Sequence, residues 1–562
     1  EPHLNGPGGD LVGIFTTAAD PVPQVLMGQG PAPARATREH YLAEGLDLVP
    51  GSGALAAAVP GALDAWLILL RDHGTWPLAD VLRYAIDYAR DGHPVAAGVC
   101  ATIGTVRQLF EEHWTTSAAQ WLPDGQVPVA GQLVRNEPWA ATLERLVAAA
   151  SAAEAADPEQ PRIAGIEAAR MLWRTEIADA VADFIRTPHR HSDGGEHAGV
   201  LEASDFARFE AGYEPAVSIE FRGYTIAKSG AWGQGPALLE TLNILAGFPD
   251  DQLDPSTVRG AHLILEAQKL AYADREAYFG DPAAASGDQP VPLGVLLSDE
   301  YAERRRALIG EEASSEFRPG TIDGHTPFLP PLRTEYSTGA DGLGDTIAGV
   351  GEPTVRVSHL VIEPTGETRG DTCHLDIVDR FGNIISVTPS GGWLQSSPYI
   401  PAVGFCLGSR LQMTWLEDGG PSSLTPGRRP RTTLTPTLIL KDGKPLAALG
   451  SPGGDQQDQW QLLYLLRTLV GGYRPQQAID APAFHTTSLV GSFWPRTWQP
   501  AGAVVEDRLG EDVIAGLEAL GHRITRVGDW ALGRLSTAGV SDDGVLYAAA
   551  NPRGAQGYAT GR

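Results

Sequence analysis

The chain has 562 residues and a formal net charge of −27, with 42 basic side chains against 69 acidic ones, which argues against a nucleic-acid or anionic-membrane partner. Its three cysteines, Cys100, Cys373 and Cys406, are too few and odd in number for a disulfide framework, and they favour a cytoplasmic over a secreted location. A chain this long ordinarily folds as two or more domains.

The first half reads mainly helical. Residues 54–70 form the most apolar stretch, but Pro60, Asp64 and Trp66 interrupt it and it falls short of a membrane span. Pro77 opens a helix. Leu78, Val81, Leu82, Ala85, Ile86 and Ala89 come next at helical spacing, and Gly92 and Pro94 close the element. Residues 166–186 give a second amphipathic helix. His189, His191 and His197, with Glu196, fit no ligand spacing and read as a solvated turn, not a metal site. A short helix starts at Ser204-Asp205. Residues 217–221 and 224–227 pair as a hairpin around Arg222-Gly223. A glycine loop from Ser229 to Pro236 leads into a helix over 237–245, and a long helix covers 261–278.

Residues 311–370 are rich in Gly, Pro, Ser and Thr and read as a long exposed connection. A hairpin comes directly after it. Leu375 and Ile377 alternate with polar residues, 379–383 turn, and 384–388 return. Thr372 therefore opens a strand directly after a flexible segment. If the chain is cut between Asp371 and Thr372, the threonine hydroxyl becomes a nucleophile and its new α-amino group the base. Thr-Cys-His alone is a weak signal for this. Cys373 and His374, being adjacent on a strand, face opposite sides and form no thiol–imidazole pair.

Further on, Arg431-Thr432-Thr433-Leu434-Thr435-Pro436-Thr437 leads into strand 438–440, Lys441-Asp442-Gly443-Lys444 turns it, and a second strand reaches Gly450-Ser451-Pro452-Gly453-Gly454-Asp455. The next element is a helix, with Leu462, Leu463, Leu466 and Leu469 on one stripe. Ser-Pro-Gly-Gly before a helix offers free backbone N–H groups, hence an anion site or oxyanion hole at Gly453 and Gly454. The tail reads as a βαβ unit and then a hairpin around residues 542–544. Trp232, Trp393, Trp415, Trp494 and Trp498 are candidate pocket or core aromatics, Trp393 foremost because it lies close to Ser390 in the chain.

Taken in order, Thr372-Cys373-His374, Asp379-Arg380-Phe381-Gly382-Asn383, the Thr432–Thr437 segment, the Lys-Asp-Gly-Lys turn and Gly450-Ser451-Pro452-Gly453-Gly454 resemble the γ-glutamyltranspeptidase family of N-terminal-nucleophile hydrolases. Upstream, Glu1-Pro2-His3-Leu4-Asn5-Gly6-Pro7-Gly8-Gly9-Asp10, Ala32-Pro33-Ala34-Arg35-Ala36-Thr37, Val59-Pro60-Gly61-Ala62 and the 266–275 segment extend the resemblance over nearly the whole chain. It implies a four-layer αββα sandwich, self-cleavage into a large subunit (1–371) and a small one (372–562) that stay associated, and no cofactor, metal or membrane. A homodimer of such pairs is a further expectation. A strand and helix would precede residue 1. The Gly- and Ala-rich, Lys-poor composition suggests an actinobacterial source.

By the same resemblance, Thr372 is the nucleophile, Gly453 and Gly454 form the oxyanion hole, Thr432 and Thr433 touch substrate, and Ser390 stands where a hydroxyl bonds the nucleophile. The departures concern the glutamate clamp. Gln29 stands in place of the arginine that grips the glutamyl carboxylate, Gly392 in place of an asparagine, and Met413 near the aspartate that binds the α-amine. Arg35, Arg410 and Arg431 are alternative carboxylate ligands. The resemblance thus implies an amide-cleaving hydrolase or acyltransferase with an altered acyl site. Alternatives are a cephalosporin-like N-acyl amide acylase, a carbon–carbon bond hydrolase of alkylproline-type specialised metabolism, and an unprocessed binding protein.

Overall fold

The computed structural model describes residues 2–281, 291–335, 372–541, 543–553 and 557–561. Its principal strands are β1 (Asp10–Thr16), β2 (Gln24–Gly28), β3 (Gly212–Pro215), β4 (Val217–Phe221), β5 (Tyr224–Lys228), β6 (Leu375–Val378), β7 (Ile384–Ser390), β8 (Thr437–Lys441), β9 (Lys444–Gly450), β10 (Phe484–Thr486), β11 (Gly502–Val505), β12 (Arg523–Arg526), β13 (Ser536–Val540) and β14 (Leu546–Ala550). One sheet runs β6-β7-β1-β2-β3 and a second runs β14-β13-β9-β8-β5-β4, both antiparallel throughout. The predicted βαβ tail forms, with β11 and β12 parallel.

Alternation along single strands shows why the sheets stack. On β1, Val12 and Ile14 enter a core shared with Leu438 and Leu440 of β8. Leu11 and Phe15, on the opposite face of β1, pack against Ala65 and Ile68 of helix α1 (Ala62–His73). On β8, Ile439 turns away from that shared core to meet Leu239 and Leu242 of a helix over Gly235–Ala246. Strands apolar on both faces need a partner layer on each side, which gives the four-layer αββα sandwich.

Other helices obey the expected signals. Helix α2 (Leu78–Asp91) starts after Pro77 and stops at Gly92. The helix expected over 166–186 is continuous but passes through a π-helical turn, Trp173–Ile177, between Pro161–Leu172 and Ala178–Ile185. Helix α3 (Val258–Tyr278) is buried on every face. From Arg306 to Glu335 the described chain holds no helix or strand beyond Asp299–Arg306.

The histidine turn needs correction. His191 and His197 are buried, not solvated. Ring Nε2 atoms of His189 and His191 accept the N–H groups of Ala54 and Leu55, each at 3.0 Å, at the start of a short 3₁₀ turn, Ala54–Ala56. His197 sits between the carboxylates of Glu44 (2.9 Å) and Asp193 (3.0 Å), which raise its pKa, and only Glu196 is exposed. Free N–H groups at a helix start need acceptors, and these histidines supply them.

Glu240 is fully buried in the helix over Gly235–Ala246, with its carboxyl against that of Asp274. Burial, then the facing Asp274, holds its carboxyl protonated well above the ordinary 4.5. Asp274 is satisfied by Tyr301 Oη (2.9 Å), Arg305 Nε (3.0 Å) and the Gly320 N–H (2.6 Å). The folded state therefore binds a proton that the unfolded chain releases above pH 4.5, so this group costs stability as pH rises past that value. Glu240→Gln should match the parent near pH 4.5 and become progressively more stable than it towards pH 8, by up to about 1.4 kcal/mol per pH unit in the titrating range. Thermal unfolding at several pH values reads this directly.

Candidate active site

The strand geometry brings Thr372 to the end of β7. Thr372 bridges Ser390, and the next residue, Cys373, donates its N–H to Pro389 O at 3.1 Å. The Thr372 hydroxyl is buried and lies 3.0 Å from the Ser390 hydroxyl. On β7, Ser386, Thr388 and Ser390 alternate with Val387, which faces the helical layer. The hydroxyl row therefore faces between the sheets.

His374 anchors this arrangement. Its Nδ1 meets Thr388 Oγ1 at 2.8 Å and its Nε2 meets Asp376 Oδ1 at 3.0 Å. Asp376 also accepts from Ser386 Oγ (2.7 Å) and from Ser536 Oγ of β13 (2.8 Å). The imidazole rests on Gly450 at the end of β9, where any Cβ would overlap the ring. The start of the hairpin is thus pinned to the second sheet. With both ring nitrogens engaged, His374 makes no pair with Cys373.

Gly453 and Gly454 lie three and four residues past that contact, before a helix α4 (Gln456–Leu465). Gly453 has φ 103°, a conformation natural only to glycine. Against Gly454 lies the Phe493 ring, where a Cβ would collide. Gln234 joins this turn to the Thr432 segment: its backbone N–H reaches Thr432 O at 3.0 Å and its side chain reaches Gly454 O at 3.4 Å. The Thr432 hydroxyl accepts the Leu434 N–H at 3.2 Å, whereas the buried Thr433 hydroxyl has no partner among the described residues.

Of the residues expected at the clamp, Gln29 and Met413 are both buried, and among the described residues hydrogen bonds join Met413, but not Gln29, to Arg410. Gln29 is fully buried; its Nε2 bonds Gly30 O at 3.1 Å and its Oε1 is unpartnered among the described residues. Met413 is also fully buried, and its sulfur takes an N–H of Arg410 at 3.5 Å. Arg410 forks onto Asp10 at 2.6 and 2.8 Å, so it is engaged by the protein itself. Burial raises the Asp10 pKa even against that guanidinium. Gly391, Trp393 and Ser409 close a small hollow around this pair, with the Trp393 indole donating to Leu4 O at 2.6 Å. Gly392 instead lines a separate cleft of about 670 Å³ with Trp66, Trp121, Trp139 and Tyr399. Arg35 is exposed and faces Glu202 at 3.3 Å.

Sequence reasoning missed the buried cluster around Glu276. Trp415 lies in it, stacked 3.6 Å from the Arg496 guanidinium, and all five candidate tryptophans are buried. Its sequence signals were Arg431 and Trp415, taken singly, and the run Asp274-Arg275-Glu276 near the end of a long helix. Asp371 lies outside the described residues.

Among the described residues, His262, Glu266 and His522 bring ligand-type atoms within 4.8 Å of one another. Lys269 (2.6 Å) and Arg318 (3.1 Å) already neutralise Glu266, which disfavours a cation there. Also among the described residues, no helix is long and apolar enough to cross a membrane.

The αββα sandwich is the fold of the N-terminal-nucleophile hydrolases. The chain belongs to the gamma-glutamyltranspeptidase family, whose profile matches residues 1–561. It is 27% identical to the glutathione hydrolase-like YwrD proenzyme of Bacillus subtilis over 98% of this chain and 90% of that protein. It is 26% identical to the acylase ACY 1 proenzyme of a Pseudomonas species over 89% and 74%. Among solved structures, LmbA2991HD is 48% identical with a TM-score of 0.89, covering 100% of this chain and 91% of that one. Cephalosporin acylase from Bacillus halodurans is 27% identical with a TM-score of 0.78, covering 100% and 88%. The protein is thus an enzyme of the γ-glutamyltransferase-like hydrolase and acyltransferase kind.

Proposed function

We propose that the chain matures by cleavage between Asp371 and Thr372 and then cleaves an amide-type bond through an acyl-enzyme on Thr372. The observation that carries this is the buried Thr372 hydroxyl, 3.0 Å from Ser390 at the head of a strand. In maturation the hydroxyl attacks the Asp371 carbonyl, the peptide C–N bond breaks and frees the α-amine, and water then hydrolyses the resulting ester to release the Asp371 carboxylate and restore the Thr372 hydroxyl. In turnover that amine, with a pKa near about 8, takes the hydroxyl proton and passes it to the leaving amine. Gly453 and Gly454 N–H groups hold the oxyanion, and Thr432 and Thr433 flank the acyl group.

The two products stay associated, on this reading, because both sheets are shared. In one sheet β1 of the first piece pairs with β7 of the second, and in the other β5 of the first pairs with β8 of the second. Proenzyme relatives support the processing step.

The acyl group is not a simple γ-glutamyl. Gln29 and Met413, which the family resemblance sets against the carboxylate and the ammonium of a glutamyl group, are a buried neutral amide and a buried thioether, neither of which carries charge. A two-pronged carboxylate contact is worth about 1.5–3 kcal/mol. Its loss weakens recognition roughly ten- to a hundredfold. A γ-glutamyl anilide should be turned over weakly compared with acyl anilides lacking the α-amine, with little transfer to dipeptides. Intact mass of the purified protein tests the cleavage, and steady-state kinetics on the two anilides tests the acyl class. Efficient γ-glutamyl turnover at micromolar substrate would remove the altered-site reading.

A further inference from the structure

The turn proposed to hold the oxyanion takes its set from its two ends. Gly453 and Gly454 have little conformational preference of their own. Neither of their N–H groups meets an acceptor among the described residues. At the upstream end, Gly450 is fixed under the ring of His374, two residues on from Thr372. At the downstream end, the Gly454 carbonyl takes the Gln457 N–H at 3.2 Å and the side-chain amide of Gln234 at 3.4 Å. Gln457 belongs to the helix that comes directly after the turn, whereas Gln234 comes from a distant part of the chain.

Gln234 is fully buried at the start of the helix over Gly235–Ala246. Its backbone N–H donates to Thr432 O at 3.0 Å and the Thr432 N–H donates to Trp232 O at 2.9 Å, so the two segments run paired. Its side-chain oxygen accepts Arg275 Nη1 at 3.0 Å. A guanidinium can only donate, so the amide oxygen faces Arg275 and the NH₂ group is left to face Gly454 O. Arg275 is itself well held. It is fully buried, pairs with Asp455, the residue after Gly454, and bonds Glu276 Oε1 at 3.0 Å and Val490 O at 2.7 Å. Its guanidinium lies 4.6 Å from the centre of the Tyr272 ring, and Tyr272 Oη donates to Asp455 O at 2.8 Å. One amide thus refers both Gly454 and Thr432 to a frame built from Tyr272 and Arg275, all of it upstream of Thr372.

We infer that Gln234 is a positioning residue for acyl transfer: its side-chain amide, aimed by Arg275, holds the Gly453–Gly454 turn with its N–H groups set for the oxyanion. This rests on the reading of Thr372 as the acylated residue and of that turn as the oxyanion donor. Gln234 acts through the turn and not on the substrate. Its loss therefore falls on the step in which the oxyanion forms and not on substrate binding.

The test uses Gln234→Met and Gln234→Glu. Both keep the backbone N–H to Thr432 and the length of the side chain, and both remove the donor to Gly454 O. Each purified enzyme is checked for cleavage by intact mass and for folding by thermal unfolding, then assayed on the acyl p-nitroanilide that the wild type turns over fastest. Both variants should lower kcat by about two- to tenfold, the range set by one hydrogen bond, with KM changed by less than about twofold. Gln234→Glu is the discriminating variant. It keeps an acceptor for Arg275 and adds charge to that pair, so its unfolding midpoint should lie at or above that of Gln234→Met, yet its kcat should be no better. A merely structural role would order kcat by stability. Wild-type kcat in Gln234→Glu, or a loss confined to KM in either variant, would overturn the inference; if Gln234→Met does not fold, Gln234→Glu still decides. A wild type that stays uncleaved, or a cleaved Gly453→Ala enzyme with unchanged kcat, sinks the reading of the site on which the inference rests. A kcat loss in Gly453→Ala with none in Gln234→Glu removes the role of Gln234 alone.

Discussion

Thr372→Ala should leave a single full-length chain with no acyl turnover, while Thr372→Ser should still be cut. The reason is local. Thr372 stands at the head of the hairpin, and its hydroxyl is held by Ser390 at 3.0 Å. Alanine removes the only atom that can attack the Asp371 carbonyl from that position. Serine keeps it and loses only a methyl. The hydroxyl partner can be tested apart from the nucleophile. Ser390→Ala removes one hydrogen bond to Oγ1, worth about 0.5–1.5 kcal/mol, so maturation should slow roughly two- to tenfold and still finish. Intact mass read over time separates these outcomes. A small fragment beginning at any residue other than Thr372 would overturn the nucleophile assignment.

Much of this arrangement was legible in the sequence because short-range rules decide it. The hairpin after Thr372 shows in the alternation of Leu375 and Ile377 and in the Asp379 turn, whose carboxylate takes the N–H groups of Phe381 and Asn383 at 2.9 Å. Helix α2 shows in Pro77 and Gly92. The hidden features depend on distant partners. His189 and His191 look like a polar turn until the free N–H groups of Ala54 and Leu55, about 135 positions upstream, are brought to them. The Glu276 cluster is hidden for the same reason. Charged residues at a helix end normally face water, but α3 is enclosed on all sides, so Arg275 and Glu276 must find partners in the loops carrying Arg431, Asp455 and Arg496. Those loops belong to the segment after Thr372. The cluster therefore ties the two halves of the chain together, a link that no local pattern could announce.

Gly453→Ala should lower kcat of the cleaved enzyme by about 10²–10³, with KM changed far less. Two features converge at this position. The backbone sits at φ 103°, so a Cβ strains the turn and rotates the N–H that it presents. That N–H lies in the turn between Gly450, fixed under His374, and the start of α4, whose aligned peptide dipoles favour negative charge at this end. An oxyanion exists only in the tetrahedral species. A donor aimed at it therefore stabilises the transition state and not the bound amide, which is why the loss should fall on kcat. Gly454→Ala acts differently. Its backbone needs no special φ, but the new methyl meets the Phe493 ring, so it should cost stability as well as rate. Combining it with Phe493→Ala should return stability more fully than rate, if the Gly454 N–H is a donor to the reacting oxygen. Maturation must be tracked separately by mass, so that kcat refers to cleaved enzyme alone. A Gly453→Ala enzyme that is fully cleaved, correctly folded and unchanged in kcat would place the oxyanion donors elsewhere in the site.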